Sequence, residues 1–231
     1  MFDIVTLTQI GRLLLYLLIP ILSLYIAYLL ITNAFRDMGF SSLEAIIIVF
    51  ISFLLGSAII DEFVGIPFSN IPLFTYGSWN VGINTGGAII PILLSIYLII
   101  KNKIPTKKII PPIILVAAIT FFVTYPDPET GIVSYFPFWL FPVFSASILS
   151  AILFRKNYSK AAPVAYIAGT IGVLIGADFF HLPILLGFTL ESSKNAIIGG
   201  ANVFDMIFIT GILAVIVDGI LMYNQRQKTI S

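Results

Sequence analysis

The sequence predicts an all-α fold: a polytopic membrane helical bundle of about seven transmembrane helices, one transmembrane domain over residues 1–231, built on a parallel 3+1+3 internal repeat. Three observations predict it. Of the residues, 59% are hydrophobic and 10% charged, against roughly a quarter charged in an ordinary soluble domain, and mean hydropathy is +1.07. Apolar runs long enough to cross a hydrocarbon core of about 30 Å occur seven times. Short motifs recur in the same order at a shift of about half the chain.

The expected spans are 13–32, 43–60, 81–100, 109–125, 135–154, 161–177 and 196–217. The first is read as a retained helix: residues 1–10 carry no basic stretch, and no small-residue cleavage pattern follows the run. Seven spans place the termini on opposite sides and divide the basic residues unevenly. Arg36, Lys101, Lys103, Lys107, Lys108, Arg155, Lys156, Lys160, Arg226 and Lys228 fall on the side of the C-terminus, and only Arg12 and Lys194 on the other. The positive-inside rule then puts the N-terminus outside a cell membrane and the C-terminus in the cytoplasm. Acids divide the other way. Asp3, Asp61, Glu62, Asp127, Glu129, Asp178, Glu191 and Asp205 fall on the outer side or in its half of a helix, and Asp37, Glu44 and Asp218 on the inner.

This composition removes several function classes. With no cysteine there are no disulfides, thiolate metal sites or cysteine nucleophiles, and a single histidine excludes HExxH zinc chemistry and bis-histidine haem ligation. No cofactor or metal is expected. The basic loops, 101–108 included, are read as topology signals in contact with anionic membrane lipid. No nucleic-acid partner is expected, phosphate-loop and dinucleotide fingerprints are absent, and nothing in the sequence specifies an oligomer.

The repeat rests on four ordered matches. Phe35-Arg36 faces Phe154-Arg155, Asp61 faces Asp178, Pro67 faces Pro183, and Gly86-Gly87-Ala88 faces Gly199-Gly200-Ala201. Repeat 1 covers about 11–101, repeat 2 about 135–222, and the helix at 109–125 connects them. Because the copies begin four spans apart they point the same way, an architecture that some transporters build around a site at the repeat interface. Pro67, Pro72 and Pro183 predict that the outer connections 63–80 and 179–195 are more than turns, either dipping into the outer leaflet or lying along it as lids.

Asn84-Thr85-Gly86-Gly87-Ala88 with Pro91, Ala162-Pro163-Val164-Ala165-Tyr166 running to Gly176-Ala177-Asp178, and Gly199-Gly200-Ala201 with Phe204-Asp205 and Ile207-Phe208-Ile209-Thr210-Gly211 carry a resemblance. Together they resemble the prokaryotic membrane family catalogued as domain of unknown function 1614, over about residues 35–217. Asn202 and Met206 stand where that family usually has small residues. The resemblance implies a class, a multi-pass membrane protein, and no activity.

The candidate site is acidic. Asp205 is expected within the last span, where an ionised carboxylate at a helix centre costs about 2.5 to 3.5 kcal/mol and calls for a partner, water or a proton. Asp178 and the pair Asp61 and Glu62 end the two repeat-related spans and are expected to converge with it on an outward-facing pocket. His181 lies three residues after Asp178, a relay position if the helix continues. Gly86, Gly87, Gly199 and Gly200, with Asn84 beside the first pair, open spans either by close packing or by breaking a helix at a cavity.

Three functions fit these residues. The first is transport of a small solute or ion, cation- or proton-linked. The second is an intramembrane aspartyl hydrolase with Asp178 and Asp205 as catalytic pair. The third is an assembly subunit without chemistry. Phe204-Asp205 and Gly176-Ala177-Asp178 are weakly similar to presenilin-like motifs, but the required glycines, the motif order and a Pro-Ala-Leu motif are lacking.

Overall fold

The computed structural model describes residues 4–200 and 205–222. Asp3, Ala201, Asn202, Phe204, Arg226 and Lys228, which the sequence singled out, lie outside the described residues.

Helix α1 (Ile4–Asp37) is followed by Gly39 in the left-handed region at φ +91°. Helix α2 (Ser42–Gly56) starts in a capping box: the Ser41 hydroxyl accepts from the Glu44 N–H at 3.2 Å, and the Glu44 carboxylate accepts from the Ser41 N–H at 2.6 Å. It bends by 67° into α3 (Ala58–Val64), which closes on Gly65 at φ +76°. Strands β1 (Asn70–Tyr76) and β2 (Trp79–Asn84) form an antiparallel hairpin. A π-helical turn (Thr85–Ile89) then leads into α4 (Ile90–Lys101), where Pro91 suits the helix start.

Helix α5 (Thr106–Val123) follows, then the short hairpin β3 (Tyr125–Asp127) and β4 (Gly131–Val133), and α6 (Leu140–Leu153). Helix α7 (Ala161–Val173) runs through a second π-helical segment (Leu174–Phe179) into α8 (Phe180–Leu186). Strand β5 (Lys194–Ile198) and α9 (Met206–Leu221) complete the described chain.

The centre of the bundle is α7, which packs against α4, α5, α6 and α9 and buries nearly every residue. Its small residues explain the position. Gly169 meets the backbone of Thr210 and Gly211 on α9, and further along the same helix Gly172 meets Val116 and Gly176 meets the Ala117 carbonyl on α5. Small residues let apolar helices approach closely, where dispersion and weak polar contacts replace the hydrophobic drive that lipid does not supply. By contrast the part of α1 from Arg12 onward exposes its long apolar side chains until its last turn, where Ala34 and Phe35, with Met38 just beyond the helix, enter the core.

The basic connections gather at one end of the bundle. Lys101 Nζ donates to the Gly39 carbonyl at 2.8 Å, Lys160 Nζ to the Lys103 carbonyl at 3.2 Å, and Lys108 sits over the Phe154 ring. The sheets lie at the other end.

One expectation needs correction, and the span count is met in part. The fold is mostly helical but not all-α, since β2 pairs with β1 on one side and in parallel with β5 on the other, and β3 with β4. Three helices among the described residues are long and apolar enough to cross a membrane, Arg12–Asp37, Thr106–Val123 and Ala161–Leu186, or four if the bent pair α2–α3 is one span. The runs at 81–100 and 196–217 begin as strand and become helix only at Thr85 and Met206. At about 1.5 Å per residue the 16 residues of α9 reach roughly 24 Å, so an extended segment makes up part of each apolar run. The span that ends at 177 instead continues as helix to Leu186, with Pro183 inside it.

Candidate functional site

Strand β5 ends at Ile198, and Gly199 and Gly200 take φ +88° and +74°, a backbone that L side chains rarely adopt. This turn brings the Gly199 N–H to Asp178, whose Oδ2 accepts from it at 2.6 Å. Asp178 sits in the π-helical segment of the central helix, 7% exposed. A π turn inserts a residue into the helical register, which re-aims the side chains that follow and is frequent at functional sites. Asp205 occupies the N-cap position of α9 with φ −77° and ψ 170°, making no side-chain cap bond. It therefore heads the helix, and the expectation of a mid-helix position is corrected.

Asp178 and Asp205 line the same cavity, of about 320 Å³. Its other walls are Leu182 and Leu185 of α8, Asn70 of β1, residues 195–198 of β5, Gly200, and Thr130, Gly131 and Ile132 of the β3–β4 hairpin. Four consecutive strand residues line it, whereas alternate residues of a strand point to opposite faces. The cavity therefore borders the β5 backbone as well as its side chains. Among the described residues no Lys, Arg or His lines it. The nearby cation Lys194 donates to the Pro128 carbonyl at 3.0 Å. In the hairpin wall, Asp127 accepts from the Thr130 N–H, the Thr130 hydroxyl and the Glu129 N–H, each at 2.8 Å. These bonds hold the Asp127 carboxyl below the ordinary carboxylate range, the Thr130 N–H contributing most and the Lys194 charge least.

The remaining sequence candidates take separate places. Asp61 accepts from the Ser69 N–H at 2.6 Å and from the Ser69 hydroxyl, pinning the segment before β1, and does not line the cavity. Glu62 is exposed. His181 is buried but faces α5: its ring stacks on Phe121 at 4.6 Å, with Nε2 3.1 Å from the Phe121 carbonyl. Asn84 donates to the Gly56 carbonyl at 3.1 Å and to Asn70 Oδ1 at 2.9 Å, and accepts from the Gly87 N–H at 2.6 Å. It thereby orients Asn70, a wall of the cavity, from behind. The glycine pairs meet each other, since a Cβ on Gly87 would collide with the Gly199 carbonyl and one on Gly200 with the Asp205 carboxylate. Gly86 packs with the same closeness on Ser52 and Gly56 of α2.

Sequence reasoning missed Asn70, Thr130 and Asn195. A usable signal was present, because each asparagine begins or interrupts an apolar β-branched run where an amide has no packing role. Among the described residues no group of three or more His, Asp or Glu is placed to hold a metal ion. A second cavity, about 590 Å³, lies between Asn33, Arg36 and Asp37 of α1 and Gly219 of α9, and mixes a cation with an anion.

A helical bundle with spans apolar enough for a membrane and two carboxylates in one cavity defines the class: an integral membrane-type protein with a sequestered acidic site. A family model described as "Protein of unknown function (DUF1614)" matches residues 62–217, and the chain belongs to that family. The match contains β1, β2, both π-helical segments, β5 and both aspartates. No curated protein and no solved structure matches the chain at a significant level.

Proposed function

We propose that this is a multi-pass membrane protein that takes up a small cation or a proton at the Asp178–Asp205 cavity and moves it across the bilayer, with the N-terminus outside and the cavity facing outward. The observation that carries the reading is a cavity with two carboxylates and, among the described residues, no cationic lining residue. Two carboxylates that share one cavity, one of them buried, favour positive charge, either as protons or as a bound cation. The cavity has room for ordered water or a partly hydrated ion, and its asparagine and threonine side chains offer neutral oxygen ligands.

The parallel repeat proposed from the sequence is in keeping with the same reading. In each half a strand leads through a glycine pair into a helix, β2 to α4 and β5 to α9, and the two strands pair in parallel from Trp79 opposite Lys194 to Ile83 opposite Ile198. The cavity lies beside this junction, where the two halves move relative to each other in a rocking mechanism.

One observation favours a second reading: both carboxylates line one cavity, as in an aspartyl hydrolase in which one acid is protonated and the other ionised. Flux and cleavage separate the two. Proteoliposomes loaded with pyranine should dissipate an imposed pH gradient, in sodium or potassium, faster than protein-free vesicles, and Asp205→Asn and Asp178→Asn should abolish the difference. Flux that persists in both variants overturns transport. Cleavage of a model transmembrane peptide that disappears in either variant establishes the hydrolase.

A further inference from the structure

Asn70 lines the cavity between two residues, Ser69 and Asn84, that are 0% exposed. Buried polar groups pair, so the role of each atom can be worked out along the chain of bonds. An N–H can only donate, and the Asn84 atom that meets the Gly87 N–H at 2.6 Å is therefore its oxygen. Asn84 then turns its nitrogen to the Gly56 carbonyl at 3.1 Å and to Asn70 at 2.9 Å. The Asn70 atom on that side must accept, so it is oxygen.

The other end gives the same answer. Asp61 takes the Ser69 N–H on one oxygen and the Ser69 hydroxyl on the other, the pattern of an ionised carboxylate. With its single proton given to Asp61, the hydroxyl can only accept from Asn70, whose nitrogen faces it at 3.3 Å. The backbone here is held as well, since the Thr85 N–H donates to the Ser69 carbonyl at 2.8 Å and the Thr85 hydroxyl to the Phe68 carbonyl at 2.7 Å. Two separate chains of bonds thus fix one orientation of the Asn70 carboxamide. Its oxygen has two lone pairs, of which Asn84 occupies one.

An oriented amide oxygen does not take up a proton at physiological pH, but it replaces water in the shell of a hard cation. The other polar side chains of the cavity wall are Asp178, Asp205, Thr130 and Asn195, each with oxygen to offer. We propose that the cavity binds a hard metal cation, that Asn70 is one of its ligands, and that Asp61 is a positioning residue acting through Ser69. This rests on the cavity reading above and names the class of ion. It also gives Asp61, which faces Asp178 in the sequence match of the two halves, a part in the site at one remove.

The test measures equilibrium binding of radioactive sodium and calcium to the full chain in nanodiscs, beside proton flux in proteoliposomes. One of the two ions should bind saturably, and Asp178→Asn should abolish the binding. Asn70→Ala should weaken it about tenfold. Asp61→Asn keeps an oxygen for the Ser69 N–H but sets an amide donor against the hydroxyl, which then turns its proton toward the Asn70 nitrogen. It too should weaken binding about tenfold, the scale on which residues that hold a metal's ligands act. Ser69→Ala, which cuts the same link and leaves the Ser69 N–H bond in place, should match it. The Asp61→Asn/Asn70→Ala double variant should bind no more weakly than Asn70→Ala alone, because a residue that acts through Asn70 has nothing left to position. Losses that add in the double variant overturn the positioning role. Binding unchanged in Asn70→Ala overturns the ligand role, and binding that persists in Asp178→Asn overturns the site. A wild-type chain that conducts protons but binds neither ion overturns this inference and leaves the cavity reading standing in its proton form. Neither binding nor flux in the wild-type chain overturns both.

Discussion

The Asp178 carboxylate accepts a hydrogen bond from the backbone N–H of Gly199 at 2.6 Å, joining the π-helical segment of the central helix to the turn that follows β5. The bond fixes one wall of the cavity and occupies one oxygen of the buried acid, leaving the other for a ligand. Replacement by asparagine removes the charge and keeps an acceptor oxygen for Gly199. Asp178→Asn is therefore expected to fold like the wild type while losing flux. Asp178→Leu strands a buried N–H and should cost about 1 to 3 kcal/mol of stability. Thermal unfolding in detergent checks this pair, and equal stability of the leucine and asparagine variants would show that the bond does not hold the turn.

Gly87 packs directly against the backbone of Gly199, 112 positions further along the chain. Gly87→Ala drives a methyl into the Gly199 carbonyl, and overpacking of this kind costs about 1 to 3 kcal/mol. Gly199→Ala meets Ala88 and also places a Cβ on a left-handed backbone, a further penalty of roughly 1 to 2 kcal/mol. The second variant should be the less stable, with Gly65→Ala the control, since it shares a positive φ but meets nothing within 4 Å. A Gly199 variant no worse than the Gly65 control would refute the contact argument.

These glycines also show what the sequence could reveal. Composition identifies the membrane class, and the family motif is legible in the residues that carry it. The runs at 81–100 and 196–217 read as uniform spans because Val81, Ile83, Ile197 and Ile198 are as apolar as a helix core, and a short continuous apolar run does not tell strand from helix. What separates them is pairing between residues more than a hundred positions apart, Val81 opposite Ala196 and Ile83 opposite Ile198, which no local window contains. The same gap displaced Asp205 from mid-span to a helix start. The pairing of Asp178 with Asp205 was legible because both are acids stranded in apolar sequence. Their separation from Asp61 and His181 was not, since it depends on Ser69 and Phe121, ordinary residues made decisive by the fold.

Asn84 tests how far the cavity depends on support from behind. Asn84→Ala releases the Gly56 carbonyl, Asn70 and the Gly87 N–H together, an expected loss of about 1 to 3 kcal/mol. Asn84→Asp keeps the acceptor for Gly87 but turns an oxygen toward two others, Gly56 O and Asn70 Oδ1. It should be at least as destabilising as alanine at neutral pH and recover on acidification, when a protonated carboxyl donates again. Unfolding midpoints at two pH values decide the matter, and an aspartate variant insensitive to pH would refute this geometry.

Asp127 gives the cavity wall a pH dependence of known sign. Its carboxyl lies below the ordinary value because the Thr130 N–H, the Thr130 hydroxyl and the Glu129 N–H favour the ionised form. A depressed folded value means that the contribution is fully present above the unfolded value of about 3.9 and is lost as pH falls through the folded one. Thr130, Gly131 and Ile132, which line the cavity, should therefore loosen only in strong acid and stay ordered through the physiological range. The side-chain carboxyl carbon of Asp127, followed by NMR, should titrate with a midpoint below about 3.9. In Asp127→Asn the amide oxygen still accepts from Thr130 and Glu129, so the hairpin should persist with that titration gone. A midpoint at or above the ordinary value would mean that the three bonds do not hold the turn in solution, and the hairpin would then be a loose cover of the cavity.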